Sequence, residues 1–469
     1  METIIQEITQ ELGKKVTEKA YSGGIQDIDQ LCSDILQDCK LTASAIVETI
    51  FTGLNMQIRA DKAGRKEQGL ILKEKDRTRE LHTELGILKL PRDYYYDKIN
   101  DQYVFILDHI TGIRPYERIG DNLSVALVTL ATDVSYAKSA AIASGGTLSR
   151  QTVKNHIGKL PAMEKEPESA EKKDIGELHI YADEDHAHMQ KPNKEKGKSS
   201  KIVPLVTVTE GMDTENEKRH KTIGTMHFVD ESFDTKNLWK SVEGYLDKTY
   251  DVTKVKKIFI HGDGGRWIKN GLENFPQTVH VMDGYHLGKR VKGFSNKFPG
   301  KKVSTRITKA IKDEDKAKAD EILQGLYDIA EDEKQIKHIS EFGTYLFGNW
   351  NEIVNRKNLN IPGSCTEAQV SHVLSERFSR DPLGWSEAGL GKLAKLRVYV
   401  KNGGKITAED FKKGQKQTYS EYAEQFIKEA ITGAVDWTVF EGEPPVFDGA
   451  SGTQILIQGF GTVRNTLWS

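Results

Sequence analysis

The sequence predicts an α/β core that carries an all-helical insertion, preceded by a helical and small-sheet amino-terminal region ending in a helix-turn-helix. Three observations predict it. Buried-strand patterns gather between 178 and 290; a charged, strand-free helical stretch, 291–358, separates them from one last amphipathic helix; and helical periodicity with a Gly-Gly break dominates residues 1–160.

Residues 1–64 repeat apolar side chains at helical spacing (Ile4, Ile5, Ile8, Leu12, then Ile28, Leu31, Ile35, Leu36) and read as packed helices. Within 65–160, the runs LILKEKD, GILKLPRDYYYD and YVFILD hold β-formers separated by turn residues, which predicts a small antiparallel sheet. The end of this region, SYAKSAAIASGGTLSRQTVKNHIGKL, has the layout of a helix-turn-helix. One helix closes at Gly145-Gly146, and Ser149 N-caps a second with Arg150, Gln151, Lys154, Asn155 and His156 on its polar side. That second helix is a candidate for the major groove of DNA; a helical hairpin with a solvated polar face is the alternative.

Residues 161–177 (PAMEKEPESAEKKDIGE) lack an apolar period and read as an exposed linker. The first part of the core, 178–290, then reads as three hairpin-joined strands (in LHIYADEDH, IVPLVTVTEG and TIGTMHFVD), a helix, the strand KKIFIHGDGG, a helix in RWIKNGLENF and the strand TVHVMDGYH. Its second part, 359–400, holds the helix CTEAQVSHVLSERFSRD, and the tail, 401–469, alternates basic, Gly-rich and short apolar pieces.

Composition narrows the class. At 469 residues the chain has room for two to four domains of roughly 150 residues each. Hydrophobic residues at 37% and charged residues at 29% place it among ordinary soluble proteins, disorder not being the default reading, and the net charge of -2 sums opposed local runs, so it speaks neither for nor against nucleic acid. Cys32, Cys39 and Cys365 are too few and too scattered for a disulfide framework and offer no C-x-x-C pair for zinc. A charged amphipathic amino terminus and the lack of any run of about 18 apolar residues predict a cytoplasmic, membrane-free protein.

The acids suggest chemistry. Asp183 falls at the end of a predicted strand within Asp183-Glu184-Asp185-His186, and Asp263 at the end of another within HGDGG, where glycines permit a sharp turn. Carboxylates at neighbouring strand ends can converge, and two or three convergent carboxylates are the minimum for holding a pair of Mg²⁺ ions with positions left for water and phosphate. Glu367 is the choice for a third, because it opens a helix whose Val370, Val373, Leu374 and Phe378 can bury one stripe against the sheet. Glu376, nine residues on and projecting elsewhere, is the rival.

With these residues in place the chain resembles, over nearly its full length, the ISLre-type insertion-sequence transposases, relatives of the Mutator-like transposases with a DDE site on an RNase H-like fold. The resemblance maps the first acid, on the first strand of the core, to Asp183 in IYADEDH and the second, at the end of the fourth strand, to Asp263 in IFIHGDGG. It maps a following D-x-x-H element to Asp283 and His286 in VMDGYHLGKR, and the helix-borne Glu, after an all-helical insertion, to Glu367. It implies metal-dependent cleavage and strand transfer of double-stranded DNA at transposon ends. It further implies two Mg²⁺ or Mn²⁺ ions on Asp183, Asp263 and Glu367, a homo-oligomer on DNA, and a bacterial, nucleoid-associated location. One departure is the lack of cysteines for an amino-terminal zinc ribbon, which leaves the small sheet to be held by packing alone.

His286 could donate to a phosphate oxygen; a structural, hydrogen-bonded histidine is the alternative. Basic runs expected to meet the DNA backbone are Lys289, Arg290, Lys292, Lys297, Lys301, Lys302, Arg306 and Lys309, and then Lys392, Lys395, Arg397 and Lys401, solvated faces being the alternative. Tyr285, Trp267 and Trp350 could stack on a DNA end, with core packing preferred for each. Two other readings compete. One is a DNA-binding regulator that uses the core only as scaffold; the other is a zinc hydrolase built from His186 and His188 with Asp183 or Asp185, since H-x-H on a strand shares a face.

Overall fold

The computed structural model describes residues 2–22, 27–167, 171–190, 200–213, 221–357, 365–381 and 383–412. These form two compact units, one of the described residues within Met1–Leu127, Ser139–Thr152 and 407–412, the other of those within Val128–Lys138 and Val153–Ile406.

In the first unit the expected helical start is α1 (Glu2–Ser22), α2 (Ile28–Ala60) and α3 (Lys62–Glu67). Asp27 caps α2 by accepting from the Asp29 and Gln30 amides, which satisfies donors the first turn leaves unpaired. The expected small sheet is β1 (Leu70–Thr83), β2 (Gly86–Asp97) and β3 (Gln102–Val104), antiparallel in that order, followed by α4 (Ile106–Thr111). Ile58 of α2 joins Leu70, Tyr95, Val104, Ile106 and Leu107 in its core. Packing alone does not hold it, contrary to expectation. The fully buried Asp93 carboxylate accepts from Arg59 at 2.7 Å and Asn55 at 3.1 Å, and Arg79 donates to Asp108 at 2.9 Å.

Helices α5 (Asp121–Asp133), α6 (Tyr136–Ser144) and α7 (Arg150–Lys159) follow. Between α6 and α7 both Gly145 and Gly146 take left-handed φ values, 58° and 85°, and Ser149 Oγ accepts from the Thr152 amide at 3.3 Å, as the sequence predicts. Arg150, Gln151, Lys154 and Asn155 are exposed. His156 is not with them: it is buried beside Val153 and Ile157 in the sequence, on the inward side of α7.

The second unit is built on a five-stranded sheet in the order β10-β9-β4-β5-β8. Its strands are β4 (Glu177–His188), β5 (Ser200–Thr209), β8 (Met226–Phe228), β9 (Lys257–Gly262) and β10 (Thr278–Met282), while β6 (Gly211–Asp213) and β7 (Lys221–Ile223) pair as a separate ribbon. β4, β5 and β8 are antiparallel neighbours; β9 runs parallel to β4, and β10 parallel to β9. Three strands, a helix, a strand, a short helix and a strand is the order the sequence predicts.

Pleating sends alternate side chains to opposite faces. Leu178, Ile180 and Ala182 of β4 pack with Val206, Ile258 and Ile260 under α8 (Thr235–Thr249), which contributes Leu238, Trp239, Val242 and Leu246. α9 (Arg266–Lys269) is a single turn, shorter than the helix expected through RWIKNGLENF. Gly271 follows it where a Cβ would lie 2.4 Å from the Trp239 ring, and Leu272 takes a positive φ of 55° that breaks the helical path, with it and Phe275 in the same core.

After β10 the helical insertion runs through α10 (Gly284–Ser295), α11 (Val303–Lys312), α12 (Lys316–Tyr327), α13 (Glu333–Gly348) and α14 (Trp350–Lys357), around a core of its own in which Phe294 and Phe342 stack at 4.0 Å. Next come α15 (Thr366–Val370), a π-helical turn at Ser371–Ser375, α16 (Glu376–Phe378) and α17 (Glu387–Lys401), and then a 3-10 turn at Ala408–Phe411. α15, the π turn and α16 cover the other face of β4, with Val370, Val373, Leu374 and Phe378 buried as expected. Among the described residues no helix is long and apolar enough to cross a membrane. The lysine-rich turn at 191–199 and the tail beyond 412 lie outside the described residues.

Candidate functional site

The sheet register aligns the acids. Parallel pairing matches Tyr181 of β4 with His261 of β9, and Met282 of β10 with Gly262. The parallel pairing stops there, so Asp183 lies two residues beyond the last β4 residue paired with β9. Asp263 and Asp283 directly follow β9 and β10, the Asp283 amide still donating to Gly262 O at 2.7 Å; the three acids form a row at the ends of the paired segments. Asp183 differs from expectation in one respect: its strand does not end there. β4 continues to His188, paired only with β5, so Asp183 lies just past the point where β9 leaves its side.

Each acid of the row has a different setting. Asp263 follows β9 directly and accepts from the Gly265 amide at 2.8 Å. The chain turns at Gly264 with φ 86°, where a Cβ would stand 2.4 Å from Asn349 Oδ1, so glycine is needed for both backbone and space. Asp283 is fully buried and caps α10, accepting from the Tyr285 and His286 amides at 2.9 and 3.1 Å. That cap orients the first turn of α10 and presents His286, whose Nε2 stands 3.2 Å from Asp183 Oδ2.

Glu367, exposed in the first turn of α15, completes a cluster. One donor atom each from Asp183, His286 and Glu367 lie within 4.8 Å of one another, close enough to share a metal ion. The two hard carboxylate oxygens suit Mg²⁺ or Mn²⁺, and the imidazole beside them is placed to pair with Asp183 or to donate to a phosphate oxygen. Asp263 stands outside this three-residue cluster, lining the adjoining cavity with His286. The rival Glu376 is engaged elsewhere: it accepts from His372 at 2.7 Å, an imidazole that together with Arg380 and Arg397 holds its carboxyl below the usual range.

Charge crowds at this point. The hydrogen bond to Asp183 raises the pKa of His286 against the opposing effect of burial, and Asp283 and Asp263 add to the rise. Burial pushes the Glu184 carboxyl up; His186 opposes this, and Asp263 and Asp183 reinforce it. Beneath Asp183, Tyr181 stacks on His261 at 4.7 Å and His179 on Phe259 at 5.1 Å; burial pushes His261 down to about 3, so it stays neutral. The histidine-pair zinc site does not assemble with its acids. β4 keeps unbroken register from His179 to His188, so Asp183 and Asp185 share one face and His186 and His188 the opposite one.

A cavity of about 550 Å³ adjoins the cluster, lined by Asp263, by His286, Lys289 and Arg290 along one stripe of α10, and by Lys297, Glu341 and Tyr345. Arg290 lies over the Tyr345 ring at 5.2 Å. Lys292, Lys301, Lys302, Arg306 and Lys309 are likewise exposed on α10, on α11 and between them. In the second basic run Lys401 is exposed, 3.7 Å from Asp133, but the other three are not of this kind. Arg397 is 1% exposed and donates to the carbonyls of Val373, His372 and Thr132 and to Asp133; Lys392 donates to Gly158 O; Lys395 pairs with Glu164. Arg397 sits inside the apolar period Leu390, Leu393, Ala394, Leu396, which is the signal that marks it as a core residue. Of the aromatics, Trp350 is buried in the insertion core and Trp267 packs against the sheet core, but Tyr285 is 52% exposed beside His286.

The chain belongs to UPF0236, an uncharacterised protein family, which it matches over residues 24–415. A UPF0236 protein of Caldanaerobacter subterraneus subsp. tengcongensis, whose name strings together eleven locus designations, is 35% identical over 389 residues, 82% of this chain and 80% of the relative. A second from that organism, with four locus designations, is 33% identical over 411 residues, 87% and 85% of the two chains. A UPF0236 protein of Streptococcus gallolyticus, named for a vanSb 3′ region, is 23% identical over 312 residues, 63% of this chain and 67% of the relative. Among solved structures, the Drosophila P element transposase strand transfer complex is similar at 11% identity and a TM-score of 0.21, covering 76% of this chain and 94% of that one.

Proposed function

We propose that this UPF0236 protein is an insertion-sequence transposase of the ISLre type that cleaves and joins DNA with a DDE site on an RNase H-like core. The observation that carries the reading is the meeting of Asp183 and Glu367, far apart in sequence, with His286 at one point beside a cation-lined cavity. The strand order supports it: Asp183 lies on the first strand of the five-stranded sheet in chain order and Asp263 directly after the fourth. The relatives support it too, because one protein name spanning eleven loci is what a gene that copies itself through a genome leaves behind.

In this reading Asp183, Glu367 and Asp263 would hold two Mg²⁺ or Mn²⁺ ions. Such ions activate an attacking water or 3′-hydroxyl and stabilise the leaving oxygen of an in-line displacement. The chain's own groups do the rest. His286 gives up its ion pair with Asp183 and turns its N–H to a phosphate oxygen, and Asp283 fixes the turn from which it does so. Lys289, Arg290 and Lys297 neutralise the phosphates flanking the scissile bond and set its direction. Helix α7 would read end sequence through Arg150, Gln151, Lys154 and Asn155, with a homo-oligomer bringing two ends together.

Cleavage of duplex DNA carrying the sequences that flank this gene, in Mg²⁺, tests the reading. Wild type should nick at the element boundary, and Asp183→Asn and Asp263→Asn should not. Cutting that persists in both variants excludes the mechanism, while binding that persists without any cutting by wild type favours the regulator.

A further inference from the structure

The helix that carries Glu367 runs into a turn of unusual winding, and a residue two places beyond Asp183 is hydrogen-bonded to it. Asp185 is buried on the same face of β4 as Asp183, and its Oδ1 accepts from two serine hydroxyls, Ser375 at 3.0 Å and Ser379 at 2.9 Å. Its Oδ2 is buried and accepts no hydrogen bond, so the carboxylate is committed to those two serines although half of its capacity goes unused. The serines lie four residues apart, at the end of the π-helical turn Ser371–Ser375 and just after α16. From the other side, Arg397 of α17 donates to the carbonyls of His372 and Val373 within the same turn.

A π turn inserts one residue into an α-helix and is held only where something outside the helix stabilises it. Relaxed to α geometry, the segment would rotate everything upstream by about 100°, the angle of one residue at 3.6 per turn. Glu367 is upstream, in the first turn of α15, and a rotation of that size would swing its carboxylate out of reach of Asp183. We propose that Asp185 is a positioning residue: its clamp on Ser375 and Ser379 maintains the π turn and thereby aims Glu367 at Asp183. This rests on the metal reading of the preceding section. It assigns the two serines a role that reading does not contain.

Mn²⁺ affinity of the full chain, measured without DNA by electron paramagnetic resonance of the free ion, tests the proposal, with melting temperature recorded for each variant. Asp185→Ala and the pair Ser375→Ala/Ser379→Ala should each weaken Mn²⁺ binding at least tenfold. Asp185→Asn, which keeps the accepting oxygen, should stay within threefold of wild type. Wild-type affinity in both alanine variants overturns the clamp, as does an equal loss in Asp185→Asn and Asp185→Ala, which would mean that the negative charge matters and not the two hydrogen bonds. If Asp185→Ala does not fold, the serine pair, which retains the carboxylate, decides. Equal binding by wild type and Asp183→Asn is a different pattern: it overturns the metal reading itself, and the clamp falls with it.

Discussion

Asp183 and His286 form an ion pair at 3.2 Å, so the imidazole engages a carboxylate oxygen that a bound metal ion would also need. The pairing has a pH signature. A histidine whose pKa is raised on folding adds stability that is fully present below its ordinary value of about 6.5 and is lost as pH rises through the raised value. The melting temperature of the metal-free protein should therefore carry a component that falls above about pH 6.5 and disappears in His286→Asn. The sign reverses for Mn²⁺ affinity, which should increase over the same interval as the proton leaves. An identical pH profile for His286→Asn and wild type would dispose of the pairing.

Glu367 and Glu376 make opposite predictions although both lie on the helices after the insertion. Glu367 shares a point with Asp183 and His286, so Glu367→Gln should lower Mg²⁺-dependent DNA cleavage by about 100-fold or more. Glu376 is tied to His372 at the surface, a contact worth roughly 0–1 kcal/mol. Glu376→Gln should leave cleavage within about twofold and lower the melting temperature only slightly. Single-turnover rates of the two variants distinguish them, and an equal loss in both would show that the winding of the helix, not one carboxylate, is what cleavage depends on.

These residues also show where the sequence was legible. Asp263 and Glu367 could be read because each sits at a punctuation point, a glycine-flanked strand end and a helix start, whereas the Asp283–His286 element came from the family resemblance alone and its N-cap from the structure. The order of strands and helices followed from periodicity in the same way. What could not be read depends on pairings across the chain. The strand through Asp183 continues because β5 still pairs with it where β9 no longer does, and no local signal in IYADEDH reports a partner twenty residues on. Asp185 looked like a neighbour of Asp183, and its serines belong to a helix more than 180 residues later. Arg397 read as a surface cation because its formal charge outweighed the apolar period around it.

Gly264 is required twice over. Its φ of 86° is strained for any L side chain, and a methyl group there would press on Asn349 Oδ1 at 2.4 Å and on Met282 at 3.1 Å. Gly264→Ala should cost about 1–3 kcal/mol, read as a lowered denaturant midpoint at unchanged m-value. Because the same turn aims Asp263, cleavage should fall by more than the loss of folded protein explains. Full stability in the alanine variant would mean that the turn relaxes freely and does not fix Asp263.

Arg397 tests the correction made to the second basic run. Replacing it with methionine removes the donor to three buried carbonyls at a cost of about 1–3 kcal/mol for each group left unsatisfied, partly recovered by water. Lysine should not restore stability, since one ammonium cannot reproduce the planar fork. Chemical denaturation of Arg397→Met and Arg397→Lys should show both well below wild type. A stable Arg397→Met with weakened DNA binding would return this residue to the phosphate-binding set.

The cations around the cavity should behave in the opposite way. Lys289, Arg290 and Lys297 line it beside Asp263 and His286 and are exposed, so their loss costs little folding energy. If each contacts one phosphate, each releases about 0.9 of a counterion on binding duplex DNA. The triple alanine variant should then flatten the dependence of log K on log salt by up to about 2.7, with a melting temperature near that of wild type. Lys392→Ala and Lys395→Ala, whose ammonium groups are already engaged with Gly158 O and Glu164, should leave the slope unchanged. Fluorescence anisotropy with one duplex at four salt concentrations measures both. Equal slopes for wild type and the triple variant would place the DNA somewhere other than this cavity, and the acids beside it would lose their substrate.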